Sequence, residues 1–217
     1  MLLEASLTEF IGARYIDNNR IIIYYILMRR RDDNKKEAIF QATKELLTEI
    51  GFSDTSMSKI AKRAGVSAAT IYVYFDNKDD MLRKLYLDVK EKLAASIVQA
   101  IDQSMPVREA MERSMQGYLH FILDNRVDYL FLEQFSNSPL LQNLCIQDEI
   151  PSFASFQSIV EKGIREGILR QVDVSLVYLY CALPLAQLAK NAIKGNASIT
   201  PEDLQTIYEM SWNAIRA

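Results

Sequence analysis

The sequence predicts an all-α protein, with an amino-terminal three-helix helix-turn-helix unit joined to a carboxy-terminal helical bundle. Three observations carry that expectation. The 217 residues are 49% hydrophobic and 24% charged, with only 7 Gly and 5 Pro, and so few breakers favour helix. Apolar residues recur at three- and four-residue spacing from Asn34 onward, and no segment reads convincingly as a strand. A short turn centred on Gly65 separates two such stripes. The length suits one domain or two small ones. Boundaries are placed at 1–27 (an amino-terminal extension), 28–80 (the helix-turn-helix) and 81–217 (the bundle). No repeat or low-complexity tract is apparent.

In chain order, the first feature is the apolar run Ile21–Met28. Its eight residues fall far short of the ~20 that span a bilayer. A basic cluster follows it and no small-residue cleavage site is present, which argues against a secretory signal. A cytoplasmic protein with no membrane partner is expected. The run suits a strand or a buried helix turn. Met28 reads as the biological start, since "MRRRDDNKKEAIFQAT" opens the next unit conventionally. The first helix is expected from Asn34, capped by Asn34 or Asp33. Its stripe is Ile39, Ala42, Thr43, Leu46, Leu47 and Ile50, and Gly51 stands at the C′ position.

"DTSMSKIAKRAGVSAATIYVYF" then supplies two short helices. Thr55 or Ser56 can cap the first of them, whose stripe is Met57, Ile60, Ala61 and Ala64. Gly65 makes the turn, Val66 plugs it, and Ser67 can cap the helix carrying Ile71, Tyr72, Tyr74 and Phe75. Helices meeting at ~90–120° need a glycine in the turn and a small residue where they cross, here Ala61. An ordinary helical hairpin shares the turn glycine and the stripes, but not the whole combination. Charge agrees: residues 28–92 carry a basic excess, and residues 93–217 an acidic one.

"TSMSKIAKRAGVSAATIYVYFDNKDDML" resembles the DNA-binding domain of the TetR family of bacterial transcriptional repressors. The likeness is close from residue 35 to about 85. It rests on I-A-x-x-A-G-V-S, T-I-Y-x-Y-F, and the Lys78 and Leu82 that open a fourth helix. Beyond residue 90 it extends only to the family's general layout. Ala69 stands where the family pattern often has Gly.

Phosphate contacts dominate protein–DNA affinity, and their candidates lie at helix starts. Thr55 and Ser56 offer hydroxyls and free amides, and Lys78 can reach a phosphate. The resemblance implies phosphate-contacting positions for Tyr72, Tyr74 and Lys78, although Tyr74 also suits plain core packing. Base edges would meet Ser67, Ala68, Ala69 and Thr70, small groups suited to thymine methyls. Ser58, Lys59 and Lys62 could add contacts. Arg29, Arg30 and Arg31 suit a groove-seeking arm or a solvated tail.

From Asp79 the helical pattern continues to about Gln103. Pro106 opens another helix and Asn125 can cap the next. Pro151, Asp173 and Thr200-Pro201 mark three more starts. Met111, Met115, Tyr118, Phe121, Phe131, Phe135, Tyr178 and Tyr180 form an aromatic and Met set. It suits an apolar pocket or plain core, and the resemblance implies an effector site in this region. Long apolar stripes mark the last two helices: Leu183, Leu185, Leu188, Ala189 and Ile193, then Leu204, Ile207, Tyr208, Ser211, Trp212 and Ile215. They suit a four-helix dimer interface, which the family also implies. Pro184 should kink the first.

Cys145 and Cys181 read as reduced core residues. His120, the one histidine, could pair with Asp124. With no triad or metal spacing, neither catalysis nor a cofactor is expected. The expected protein is a homodimeric repressor of a palindromic operator, released by a small apolar or amphipathic effector. The alternative is a ligand-insensitive regulator controlled by a protein partner.

Overall fold

Helices supply nearly all the regular backbone in the computed structural model. It describes residues 18–102, 104–136, 138, 151–195 and 198–217, with side chains from Asp32 onward except at 151–152. The helices described are α1 (Asn18–Asp54), α2 (Met57–Ala64), α3 (Ala68–Tyr74), α4 (Lys78–Val98), α5 (Val107–Asp124), α6 (Arg126–Ser136), α7 (Pro151–Arg165), α8 (Val174–Ile193) and α9 (Pro201–Ile215). The all-α expectation holds. An isolated bridge between Leu169 and Arg216 ties the α7–α8 connection to the end of α9. Cys145 and residues 1–17 lie outside the described residues.

α1 begins earlier than its caps suggested. Neither Asp33 nor Asn34 starts it, because the helix runs through both from Asn18. No Gly or Pro stands between residues 18 and 50 to stop it. Gly51 interrupts it at φ 78°, ψ 176°, a region that essentially only glycine enters. Ile39, Phe40, Ala42, Leu46 and Leu47 face inward, but Ile50 is exposed. It stands in the last turn, beside the Gly51 break.

α1, α2 and α3 close a small core of Phe40, Leu47, Ile60, Ala61, Ile71 and Phe75. The Phe40 and Phe75 rings lie 5.5 Å apart. α4 joins this unit to the rest: Met81, Leu82 and Leu85 belong to its first half, Leu93, Ala94 and Ile97 to its second. α5 crosses α4 at Gly117, whose carbonyl accepts a 2.8 Å hydrogen bond from Ser96 Oγ. Asn125, expected to cap α6, instead turns its amide to Phe121 O at the end of α5, 3.3 Å away.

α8 continues through Pro184. Proline has no N–H, so the carbonyl four residues back, Tyr180 O, loses its helical donor. Ser211 Oγ of α9 supplies one at 3.0 Å. Asp173 caps α8, and Thr200 with Asp203 forms a capping box for α9. α8 is the one described helix that is long and apolar enough to cross a membrane by length and composition. Its Val177, Cys181, Leu185 and Ala189 are nevertheless buried in the chain's own core.

Candidate nucleic-acid interface and effector crevice

Capping builds the helix-turn-helix. Ser56 Oγ accepts from the Lys59 amide at 3.3 Å and starts α2. Gly65 ends it at φ 67°, ψ 29°, and the Val66 amide reaches back to Ala61 O at 3.0 Å. That is a Schellman close, available to glycine without strain. Ser67 caps α3: its Oγ accepts from the Thr70 amide at 3.1 Å and lies 2.9 Å from Thr70 Oγ1.

The outer face of α3 is therefore small. Ala68 and Ala69 are exposed and Thr70 is half-buried. Tyr72 is 56% exposed and Val73 79%. Sequence reasoning missed Val73. The available signal was its i,i+4 spacing from Ala69, opposite the buried Ile71 and Phe75.

Three expected phosphate contacts sit differently. Thr55 is buried, and its hydroxyl donates to Gly51 O at 2.7 Å. It braces the corner where α1 breaks and does not face outward. Lys78 Nζ donates to Phe52 O at 2.8 Å and to Thr55 O at 2.6 Å. It thus clamps the α1–α2 corner with two of its three N–H groups. Tyr74 donates its hydroxyl to Asp32 Oδ1 at 2.9 Å. Burial, with the Asp32 carboxylate beside it, holds that phenol above its usual pKa. Ser58, Lys59 and Lys62 are all exposed, and Lys59 Nζ donates to Asp54 O at 2.8 Å. Arg63 meets both carboxylate oxygens of Glu49, at 2.9 and 2.7 Å, so its charge is spent against α1.

The aromatic and Met set divides. Met115, Tyr118 and Tyr178 do meet, with Ile97, Ser114, Phe156, Cys181 and Ala182, around a crevice of about 10 Å³. That is room for about one water molecule. The Tyr178 ring stands edge-on to Tyr118, Phe153 and Phe156 at 6.2, 6.1 and 6.2 Å. Burial pushes the Tyr178 phenol up to about 12, so it is a neutral hydroxyl. The Cys181 thiol is likewise pushed up to about 12 and is a poor nucleophile.

The rest of the set lies elsewhere. Met111 lines a neighbouring cleft with Trp212. Phe121 borders a surface groove that also takes in His120 and Asp124. Phe131 and Phe135 are not crevice residues: Phe135 packs against Phe52, Tyr86 and Phe131 at 5.7, 5.0 and 5.4 Å, joining α6 to the end of α1. Pro151 could have flagged Phe153 and Phe156, which follow it at helical spacing.

Residues 39–85 match the family model of bacterial regulatory proteins, tetR family. Residues 106–216 match that of the tetracyclin repressor-like C-terminal domain. The chain belongs to the TetR family. It is a DNA-binding transcriptional regulator of the helix-turn-helix type. An uncharacterized HTH-type transcriptional regulator of Haemophilus influenzae is 28% identical over 180 residues, covering 83% of this chain and 95% of the relative. The fatty acid metabolism regulator protein of Bacillus subtilis is 28% identical over 144 residues, covering 64% and 73%. The crystal structure of a TetR family transcription regulator from Marinobacter aquaeolei VT8 superposes with a TM-score of 0.79 at 26% identity, covering 87% of this chain and 98% of that one.

In this TetR-family chain the contacts that tie the helix-turn-helix to the bundle include the Phe52–Phe135 pair and an ion pair between Lys44 of α1 and Asp128 of α6, both buried. The stripes expected at a dimer interface turn inward in part. Leu185, Ala189, Tyr208 and Ser211 are buried in their own chain, and Leu188, Leu204, Ile207 and Trp212 are half-buried. Trp212 is covered by Arg108, 5.6 Å from its ring. The outward side of α8 carries Leu176, Leu179, Tyr180 and Leu183, all exposed, and α9 adds Met210.

Proposed function

We propose that this regulator is a cytoplasmic homodimeric repressor that binds a palindromic operator and is released by a small effector. The observation that carries this is the outward stripe of α8. Leu176, Leu179, Tyr180 and Leu183 recur at i, i+3, i+4 and i+7, with Leu183 57% exposed, and Met210 of α9 is 68% exposed. Such a stripe on a bundle helix asks for a second helix pair, and a second copy of α8 and α9 provides one. Leu183→Glu should then yield a monomer by analytical ultracentrifugation and remove operator binding. A dimer that persists would overturn this face.

On DNA, each α3 would enter a major groove, and two half-sites would be spaced by the dimer. Ala68, Ala69, Thr70 and Val73 would meet thymine methyls and groove shape. Ser56, Tyr72 and Lys59 would meet phosphates, while Tyr74 would have to leave Asp32 to do so. Lys78 would add its third N–H. Lys78→Ala is expected to weaken binding across sequences and flatten the salt slope by roughly one, with melting followed alongside because the corner also loses its clamp. Equal slopes for the two proteins would leave Lys78 a brace only.

An effector entering the Met115–Tyr118–Tyr178 crevice must push its walls apart. It would shift the equilibrium only by its preference for the opened arrangement. The Bacillus subtilis relative, a fatty acid metabolism regulator protein by name, lends support to an apolar ligand. Footprinting on the DNA flanking the protein's own gene, with ligands titrated in, tests the whole reading. No protected palindrome at any concentration would remove it. The closed crevice, with an apolar face left outside, favours a second reading in which a protein partner replaces the small molecule. Protection that no ligand relieves, but a partner on the α8 face does, would select it.

A further inference from the structure

We propose that the effector is an anionic amphipath, its carboxylate held by Lys90 of α4 and its apolar body by the aromatic group around Tyr178. This rests on the effector reading above and names the chemistry of its ligand. Lys90 projects from α4 toward α7. Its ammonium lies 4.8 Å from the Phe153 ring centre and 6.0 Å from that of Tyr86. No carboxylate among the described residues pairs with it.

Lys44 and Lys190, by contrast, do pair with carboxylates, those of Asp128 and Glu133. Burial drives the pKa of Lys90 below its usual value, as expected for a half-buried cation with no acid paired to it among the described residues. Ring faces attract an ammonium but cannot accept its three N–H groups as oxygens would. A ligand carboxylate would satisfy them.

The surroundings suit the rest of such a molecule. Phe153, beside the ammonium, meets Tyr178 edge-on, and Tyr178 meets Phe156 and Tyr118 in turn. The crevice beyond is lined by Ile97, Met115, Cys181 and Ala182. Lys90 and Ile97 are seven residues, two turns, apart on α4, so the path from cation to apolar end is roughly 10 Å at 1.5 Å per residue. The Ser114 hydroxyl is already bonded to Ala110 O at 2.8 Å, leaving Lys90 as the site's strong anion receptor. Because Lys90 sits on the helix that also carries Met81 and Leu82 of the reading unit, filling the crevice would press on the element shared by both functions.

The test is calorimetric titration of the full-length protein with octanoate, 1-octanol and octylamine, together with operator-binding assays. Octanoate should bind at least tenfold more tightly than octanol, and octylamine not at all. Lys90→Met should abolish the preference for the acid, raise the melting temperature of the free protein and leave operator binding intact. Lys90→Arg should keep the preference.

Equal affinity for acid and alcohol, retention of the preference in Lys90→Met, or no binding of octanoate would each overturn the assignment. If octanol or octylamine binds and releases DNA while octanoate does not, the anion inference fails alone. If no apolar compound of any charge alters DNA binding, the effector reading fails with it.

Discussion

Asp128→Ala is expected to destabilise the protein by about 3–5 kcal/mol, the cost of leaving a buried partner charge uncompensated. Lys44 and Asp128 are 3% and 8% exposed, so water cannot easily replace the missing carboxylate. Nearby Lys92 keeps its own partner, Asp88, at 2.8 Å, so the charge left stranded is that of Lys44. Urea denaturation monitored by circular dichroism measures the effect. Replacing both partners, Lys44→Met with Asp128→Leu, should recover most of the stability, because an apolar pair of similar volume carries no stranded charge. That double variant also separates two roles. The pair bridges α1 and α6, so if it sets how the reading unit sits on the bundle, effector release of DNA should weaken even where stability returns. A single-variant loss below about 1 kcal/mol, the range of solvent-exposed pairs, would show that water reaches the site.

Gly117→Ala should cost about 3 kcal/mol, the upper part of the range for overpacking. A Cβ built at Gly117 would stand 2.0 Å from Ser96 O and 3.1 Å from Ile97 Cα. Both are backbone atoms of α4, so no side chain can rotate away to relieve the contact. The helices must separate, and the Ser96–Gly117 hydrogen bond goes with them. Gly163 makes a useful comparison. Its added Cβ would meet side-chain atoms of Leu169 and Val107 at 2.7 and 2.8 Å, groups that can shift, so Gly163→Ala should cost less. Thermal denaturation of both variants gives the ranking, and equal losses would contradict it.

The helix-turn-helix was legible residue by residue because its constraints are local. Ser56 and Ser67 cap within three residues, Gly65 closes its turn within four, and Ile60, Ala61, Ile71 and Phe75 pack across one short corner. Thr55 and Lys78 were harder to read. Each is of a type that contacts phosphate, yet Gly51 breaks α1 and leaves carbonyls that these two side chains satisfy. That demand exists only once the corner is folded. The aromatic set divides for the same reason. Phe135 and Tyr178 look equivalent in sequence, but one packs on Phe52 of α1 and the other on Phe153 and Phe156 of α7.

By itself, the sequence determined the helical class, the order of nearly all the described helices and the reading head, since periodicity and capping act over a few residues. Only the tertiary structure decided which side of α8 faces its own chain. That helix is apolar on most of its circumference, with a mean hydropathy of 1.2, so periodicity could not tell inward from outward. Packing against α5, α7 and α9 took Val177, Leu185 and Ala189 and left Leu176, Leu179, Tyr180 and Leu183 outside. The same packing left Lys90 among aromatic rings, with no carboxylate among the described residues paired to it. Long-range juxtaposition has no signature in local spacing, and the features read here as partner and ligand sites are of that kind.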